Sequence, residues 1–180
     1  MRPWIALYSQ TGGELSNLCT RLGRLPDLVI TNKSDNKKLL RTEHSGIEII
    51  EVPDRPSAGE LSLIFSAYTN PLITLHGWMR IVPAEVCNKY EMYNGHPGLI
   101  TEYPELKGKD PQDKAWKLAS EGKIKRAGCV IHKVVPEVDS GQIILSRGFS
   151  IESLDKRSFF TNFRYISEEL WFEFLKPMLK

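Results

Sequence analysis

Residues whose types can do chemistry gather in a few short segments of this 180-residue chain. The segment "YNGHPG" (93–98) places Asn94 two positions before His96, with Gly95, Pro97 and Gly98 around them. Side chains two apart on an extended chain share a side, so an amide and an imidazole would face one point. A second turn-like segment, "PEVDSG" (136–141), supplies Asp139. Amide, imidazole and carboxylate together offer a hydrogen-bond donor, a proton carrier and an orienting anion. The plainer reading is an Asn-Gly turn carrying a solvent-facing histidine, and residue types alone leave both readings open.

Other candidates carry weaker signals. "SQTGGE" (9–14) is a polar glycine pair between a strand-like and a helix-like run. Backbone N–H groups at such a helix start can hold a phosphate, but the stretch matches neither a P-loop nor a dinucleotide fingerprint. A simple strand-to-helix turn fits equally well. His132 falls in an apparent strand, where alternation puts it on the side of Val130 and Val134; alone it reads as a satisfied core histidine. Cys129 and His132 have metal-like spacing, yet residues three apart in a strand point to opposite faces, so no metal site is expected. His44 and His76 show no partner pattern and receive no role.

These residues need elements to hold them. "WIALYS" (4–9), "DLVITN" (27–32), "IEIIEV" (47–52) and "PLITLHG" (71–77) read as buried strands, and "YEMYN" (90–94) as a fifth. Between them lie helical patterns: one through Leu15, Leu18, Cys19 and Leu22, one over 57–68 with Ser57 as N-cap, and a short one at 83–89. Further on come a short helix over 113–121, strands at 126–135 and 142–151 joined by a turn, and a final helix after Ser153. Its stripe Phe159, Phe163, Ile166, Leu170 and Phe174 keeps to one face and reads as core. Alternating strands and helices predict an α/β fold: a mostly parallel twisted sheet, helices on both faces, and antiparallel strands near the C-terminal end. In such sheets ligands bind beyond the carboxyl ends of the strands. That rule selects "SQTGGE", "HGWMRI", "NGHPG" and "VVPEVDSG".

Composition sets the outer bounds. The hydrophobic share of 41% suffices for a real core, and the length favours one domain over 1–180. A formal net charge of +2 gives no argument for a nucleic-acid polymer, and Lys33, Lys37, Lys38 and Arg41 read as a solvated local patch. Three widely spaced cysteines suit a reducing compartment rather than a disulfide framework. With no signal-like or membrane-length apolar run, a cytoplasmic protein is expected.

Two blocks are specific enough to indicate a family. "GWMRIVPAEVCNKYEMYNGHPGLITEYPEL" resembles the central block of the folate-dependent formyltransferases, in particular those acting on glycinamide ribonucleotide, where G-F-M-R-I-L precedes N-x-H-P-S-L-L-P-x-Y-P-G. "GCVIHKVVPEVDSGQII" resembles their second block, S-V-H-x-V-x-x-x-x-D-x-G-x-I-I. The resemblance is strong from Gly77 to Ile144. It implies a formyltransferase-like catalytic domain with Asn94, His96 and Asp139 as catalytic trio and His132 in support. It implies folate contacts at Met79, Arg80, Ile81 and Val82 and along Val134, Val135, Pro136, Glu137 and Val138. It also implies acceptor contacts at Thr11, Gly12, Gly13, Glu14 and Glu168.

The implied reaction is transfer of a formyl group from 10-formyltetrahydrofolate, as co-substrate, to the amine of a small phosphorylated acceptor. Glycinamide ribonucleotide is the first candidate, which would place the chain in purine biosynthesis; no metal or membrane takes part. Formylation of a nucleotide-linked amino sugar or other modified nucleotide, hydrolysis of the donor, and non-catalytic folate or nucleotide binding are the alternatives. The chain departs from the family pattern at Glu14, which stands for the last Asn of the phosphate loop, and at Gly98, Thr101 and Glu105. These positions lie on the acceptor side. The resemblance ends with the last helix, so no extra domain of the larger relatives is expected.

Overall fold

Fully buried runs form the middle of one sheet. In the computed structural model, which describes residues 1–33, 40 and 43–179, Trp4–Tyr8 (β1), Leu28–Thr31 (β2), Ile49–Glu51 (β3) and Leu72–Leu75 (β4) are parallel strands. Every residue of β1, β2 and β4 is buried, as central strands covered on both faces must be. Met92–His96 (β5) joins them in parallel, while Arg126–Lys133 (β6) and Ile143–Ser150 (β7) complete the sheet antiparallel. The order is β3-β2-β1-β4-β5-β6-β7. Of the basic patch expected in the sequence, Lys37, Lys38 and Arg41 lie outside the described residues.

Alternation along β1 divides the core in two. Trp4, Ala6 and Tyr8 face one cluster with Leu15, Leu18, Phe159, Phe163 and Trp171; Ile5 and Leu7 face another with Leu61, Phe65 and Val86. Helices Gly13–Leu22 (α1) and Lys156–Met178 (α5) supply the first cluster. Ala58–Ser66 (α2) and Ala84–Lys89 (α3) supply the second. Pro111–Ser120 (α4) packs beside α5 through Trp116 on Phe159, with ring centroids 5.1 Å apart. The start of α2 is closed by a capping box: the Ser57 hydroxyl accepts from the Glu60 N–H, and the Glu60 carboxylate accepts from the Ser57 N–H. The stripe Phe159, Phe163, Ile166, Leu170 and Phe174 of α5 is buried throughout.

Two local expectations change. Asn94-Gly95 is not a turn, because β5 runs through His96 and pairs Leu75 with Asn94 and Asn94 with His132. Glycine fits there for a packing reason: a Cβ on Gly95 would stand 2.5 Å from Trp171 Nε1. Second, β6 and β7 are antiparallel as expected, but this puts the carboxyl end of β6 away from those of β1, β4 and β5, so the loop after β6 does not leave from the same edge. The loop over 134–142 must instead fold back to bring Asp139 to His96.

Candidate functional site

The chain leaves β1 toward β2 on one side and returns to β4 on the other, so β1 and β4 are the sheet's switch point. A cleft opens at such a point, beyond the strand ends. Here it has a volume of about 1340 Å³ and is lined by the segments after β1, β4 and β5 and by the 134–139 loop.

At its centre Asn94 and His96 project from alternate positions of β5. His96 is 5% exposed, which removes the reading of a solvent-facing histidine. Asp139 bridges two imidazoles: one carboxylate oxygen is 3.3 Å from His96 Nδ1, the other 3.3 Å from His132 Nε2. The Gly108 N–H donates to the same carboxylate at 2.8 Å. Asp139 adopts φ +49°, a left-handed conformation that Asp tolerates better than most residues. Asn94 Nδ2 is 3.1 Å from His132 Nε2, and His132 Nδ1 is 3.0 Å from the Lys133 carbonyl. His132 therefore belongs to the cluster rather than to the plain core. Val130 and Val134, expected beside it, pack against different clusters, because β6 ends at Lys133 and strand alternation does not carry on to Val134.

Electrostatics separate the partners. Burial alone would raise the Asp139 carboxyl, but the His132 hydrogen bond, the His96 charge and the Gly108 N–H hold it below its ordinary value. Burial draws His96 below its ordinary value, with Asp139 and the Leu106 carbonyl pulling the other way. His96 Nε2 is 2.9 Å from the Leu106 carbonyl, so both ring nitrogens face acceptors. A neutral imidazole has one N–H for the two. The site thus pairs an ionised carboxylate with a buried imidazole whose two ring nitrogens both face acceptors.

The expected donor-side residues Met79, Arg80, Ile81, Val82, Val134, Val135, Pro136 and Val138 line the cleft, as do Thr11, Gly12, Gly13 and Glu14. Met79, Ile81 and Val138 expose apolar surface there, at 50%, 69% and 51%. Arg80 is turned to Asp54 at 2.8 Å. Glu137 and Glu168 are not among the lining residues. Glu168 instead accepts from Asn17 at 2.8 Å and from Arg164 at 3.1 Å, and its neighbour Ser167 faces the cleft. Cys87 also lines the cleft, but burial raises its thiol, which makes it a poor nucleophile. Among the described residues no group of three or more His, Cys, Asp or Glu is placed to hold a metal ion.

Sequence reasoning missed His76 and Ser167. His76 Nδ1 is 3.3 Å from Glu14, and Ser167 donates to the other oxygen of the same carboxylate. For His76 the available signal was a polar residue directly after the wholly buried parallel strand β4, where ligand loops begin; Ser167, inside α5, left no such mark.

The family model described as "Formyl transferase" matches residues 26–162. The chain belongs to the formyl transferase family. This formyl transferase chain is 37% identical over 112 residues to a phosphoribosylglycinamide formyltransferase of Dictyostelium discoideum, covering 54% of the chain and 53% of that protein. It is 31% identical over 144 residues to the trifunctional purine biosynthetic protein adenosine-3 of Gallus gallus, covering 72% of the chain and 14% of that protein. The chain thus spans about half the length of the first relative and a small part of the second. The fold matches the phosphoribosylglycinamide formyltransferase of Streptococcus pneumoniae TIGR4 with a TM-score of 0.84 at 21% identity, covering 100% of both chains. It matches that of Anaplasma phagocytophilum with a TM-score of 0.82 at 23% identity, covering 98% of this chain and 86% of the other. No helix among the described residues is long and apolar enough to cross a membrane.

Proposed function

We propose that this formyl transferase moves a formyl group from 10-formyltetrahydrofolate to the amine of a small acceptor, with Asn94, His96 and Asp139 as its working residues. The observation that carries this reading is the bridging of His96 and His132 by Asp139, beside Asn94, in the wall of one cleft. Glycinamide ribonucleotide is the first acceptor to test, because relatives are named for it.

The amine lone pair attacks the formyl carbon, and negative charge develops on the formyl oxygen. The Asn94 amide and the His96 imidazole donate to that oxygen; one such donor is typically worth about 2.7–4 kcal/mol. To do so, His96 Nε2 exchanges the Leu106 carbonyl for the substrate oxygen. As the C–N bond to the folate nitrogen breaks, that nitrogen gains a proton and the attacking nitrogen loses one, so the balance closes. Ionised Asp139, set between two imidazoles, holds the relay that carries this proton. The exposed apolar surface of Met79, Ile81 and Val138 suits the flat ring of the donor.

The test supplies formyl-labelled donor with glycinamide ribonucleotide and a panel of other amines. Label found on an acceptor nitrogen supports transfer. Formate release without any N-formyl product would count against it.

A further inference from the structure

The end of the cleft at α1 has a chemistry of its own. Glu14, in the first turn of α1, reaches into the cleft with its side chain 25% exposed. One carboxylate oxygen accepts from the Ser167 hydroxyl of α5. The other lies 3.3 Å from Nδ1 of His76, whose side chain is 1% exposed. His76 Nε2 is 2.9 Å from Thr74 Oγ1, which also accepts from Trp4 Nε1 at 2.8 Å. For a neutral imidazole one arrangement satisfies every member: the Thr74 hydroxyl donates to Nε2, and Nδ1–H donates to Glu14. The chain of bonds runs from β1 through β4 to α1 and α5. His76 also packs on the Trp171 ring, with centroids 4.3 Å apart, so the donor behind Glu14 is fixed.

Two held donors leave each carboxylate oxygen with a lone pair toward the cleft. A second carboxylate, Glu43, lines the same end and accepts from Ser16. Arg164, a cation lining the cleft, donates to Glu168 at 3.1 Å. Among the described residues the carboxylates of Glu14 and Glu43 therefore stand beside the backbone N–H groups that open α1 without a side-chain cap, and they set the negative charge of this end against that helix start.

We propose that Glu14, backed by His76 and Ser167, selects the acceptor: it accepts a hydrogen bond from an acceptor hydroxyl or ammonium group and disfavours a phosphate dianion at that place. Two like charges at contact distance in a partly desolvated cleft repel strongly, whereas a hydroxyl or ammonium gains a charge-assisted bond. This rests on the formyl-transfer reading and narrows its acceptor.

The experiment compares glycinamide ribonucleotide with its dephosphorylated ribonucleoside on the wild-type protein, Glu14→Gln and Ser167→Ala. Binding is read by calorimetry and turnover with 10-formyltetrahydrofolate. Wild type is expected to take the nucleoside at least as well as the nucleotide. Glu14→Gln is expected to move the preference toward the nucleotide by about tenfold or more in Kd and in kcat/KM, and Ser167→Ala to move it less. A wild-type preference for the nucleotide of about tenfold, an unchanged ratio in Glu14→Gln, or wild-type binding of neither compound overturns the proposal. If binding follows the expected order but no acceptor is formylated, the selection stands and the formyl-transfer reading fails.

Discussion

At the scale of single residues, the site turns on how His96 is held. Its ring rests against Gly98: a Cβ there would lie 2.9 Å from His96 Nε2 and 3.2 Å from Leu106 Cβ. Gly98→Ser is therefore expected to push the imidazole off the Leu106 carbonyl and cost about 1–3 kcal/mol of stability, read from urea unfolding. Transfer should survive, because the ring still faces the cleft; unchanged stability would contradict this packing. Burial of His96 also sets a pH dependence. Its folded value lies below the ordinary 6.5, so below that pH the unfolded chain binds more protons and stability falls with pH. The contribution is complete above about 6.5 and is lost as pH drops through the folded value. Asp139, also depressed, adds a loss of the same sign below its ordinary 3.8. His96→Gln should lose less stability than wild type between about pH 7.5 and 5.5; equal losses would place the titration elsewhere. The spacing of Asn94 and His96 was legible because extended geometry puts alternate residues on one side, whereas Asp139 reaches them only through the fold. The Leu106 carbonyl was not legible, since a backbone group leaves no mark in residue type. Nor was the Glu14–His76–Ser167 cluster, whose members lie far apart in sequence and meet only through α1, β4 and α5.

At the scale of elements, β5 is where local signals misled. Asn-Gly is a strong turn signal, yet Gly95 serves the strand by admitting the Trp171 indole of α5. Gly95→Ala should destabilise the protein by about 1–3 kcal/mol or more. It should also lower activity, because the same strand carries Asn94 and His96. A variant with wild-type unfolding midpoint would show that α5 does not press on β5 as described. Long or mostly apolar elements were read well for a physical reason: the α5 stripe keeps one helical face, and β1, β2 and β4 are buried along their whole length. The antiparallel β6–β7 pair was readable from the short turn between the two strands; the fold-back of that turn onto His96 was not, because residue types do not say where a loop packs.

At the scale of the whole molecule, the fold accounts for the cleft's place. A chain that starts in the middle of its sheet, builds one side and then crosses to the other leaves a crevice between β1 and β4. The antiparallel β6–β7 pair then returns a loop over that crevice, and Asp139 rides on it. Strand and helix alternation foretold the layered sheet; the meeting of distant loops at one end needed the three-dimensional order. The central claim is that Asn94 and His96 stabilise charge on a transferred formyl group. Its most direct test is single-turnover transfer of labelled formyl from 10-formyltetrahydrofolate to an accepting amine, by wild type, Asn94→Ala and His96→Ala. Wild type should label the amine, and each variant should lose roughly 10²–10³-fold in rate while keeping its fold by circular dichroism. A His96→Ala protein that transfers formyl at the wild-type rate would contradict the account.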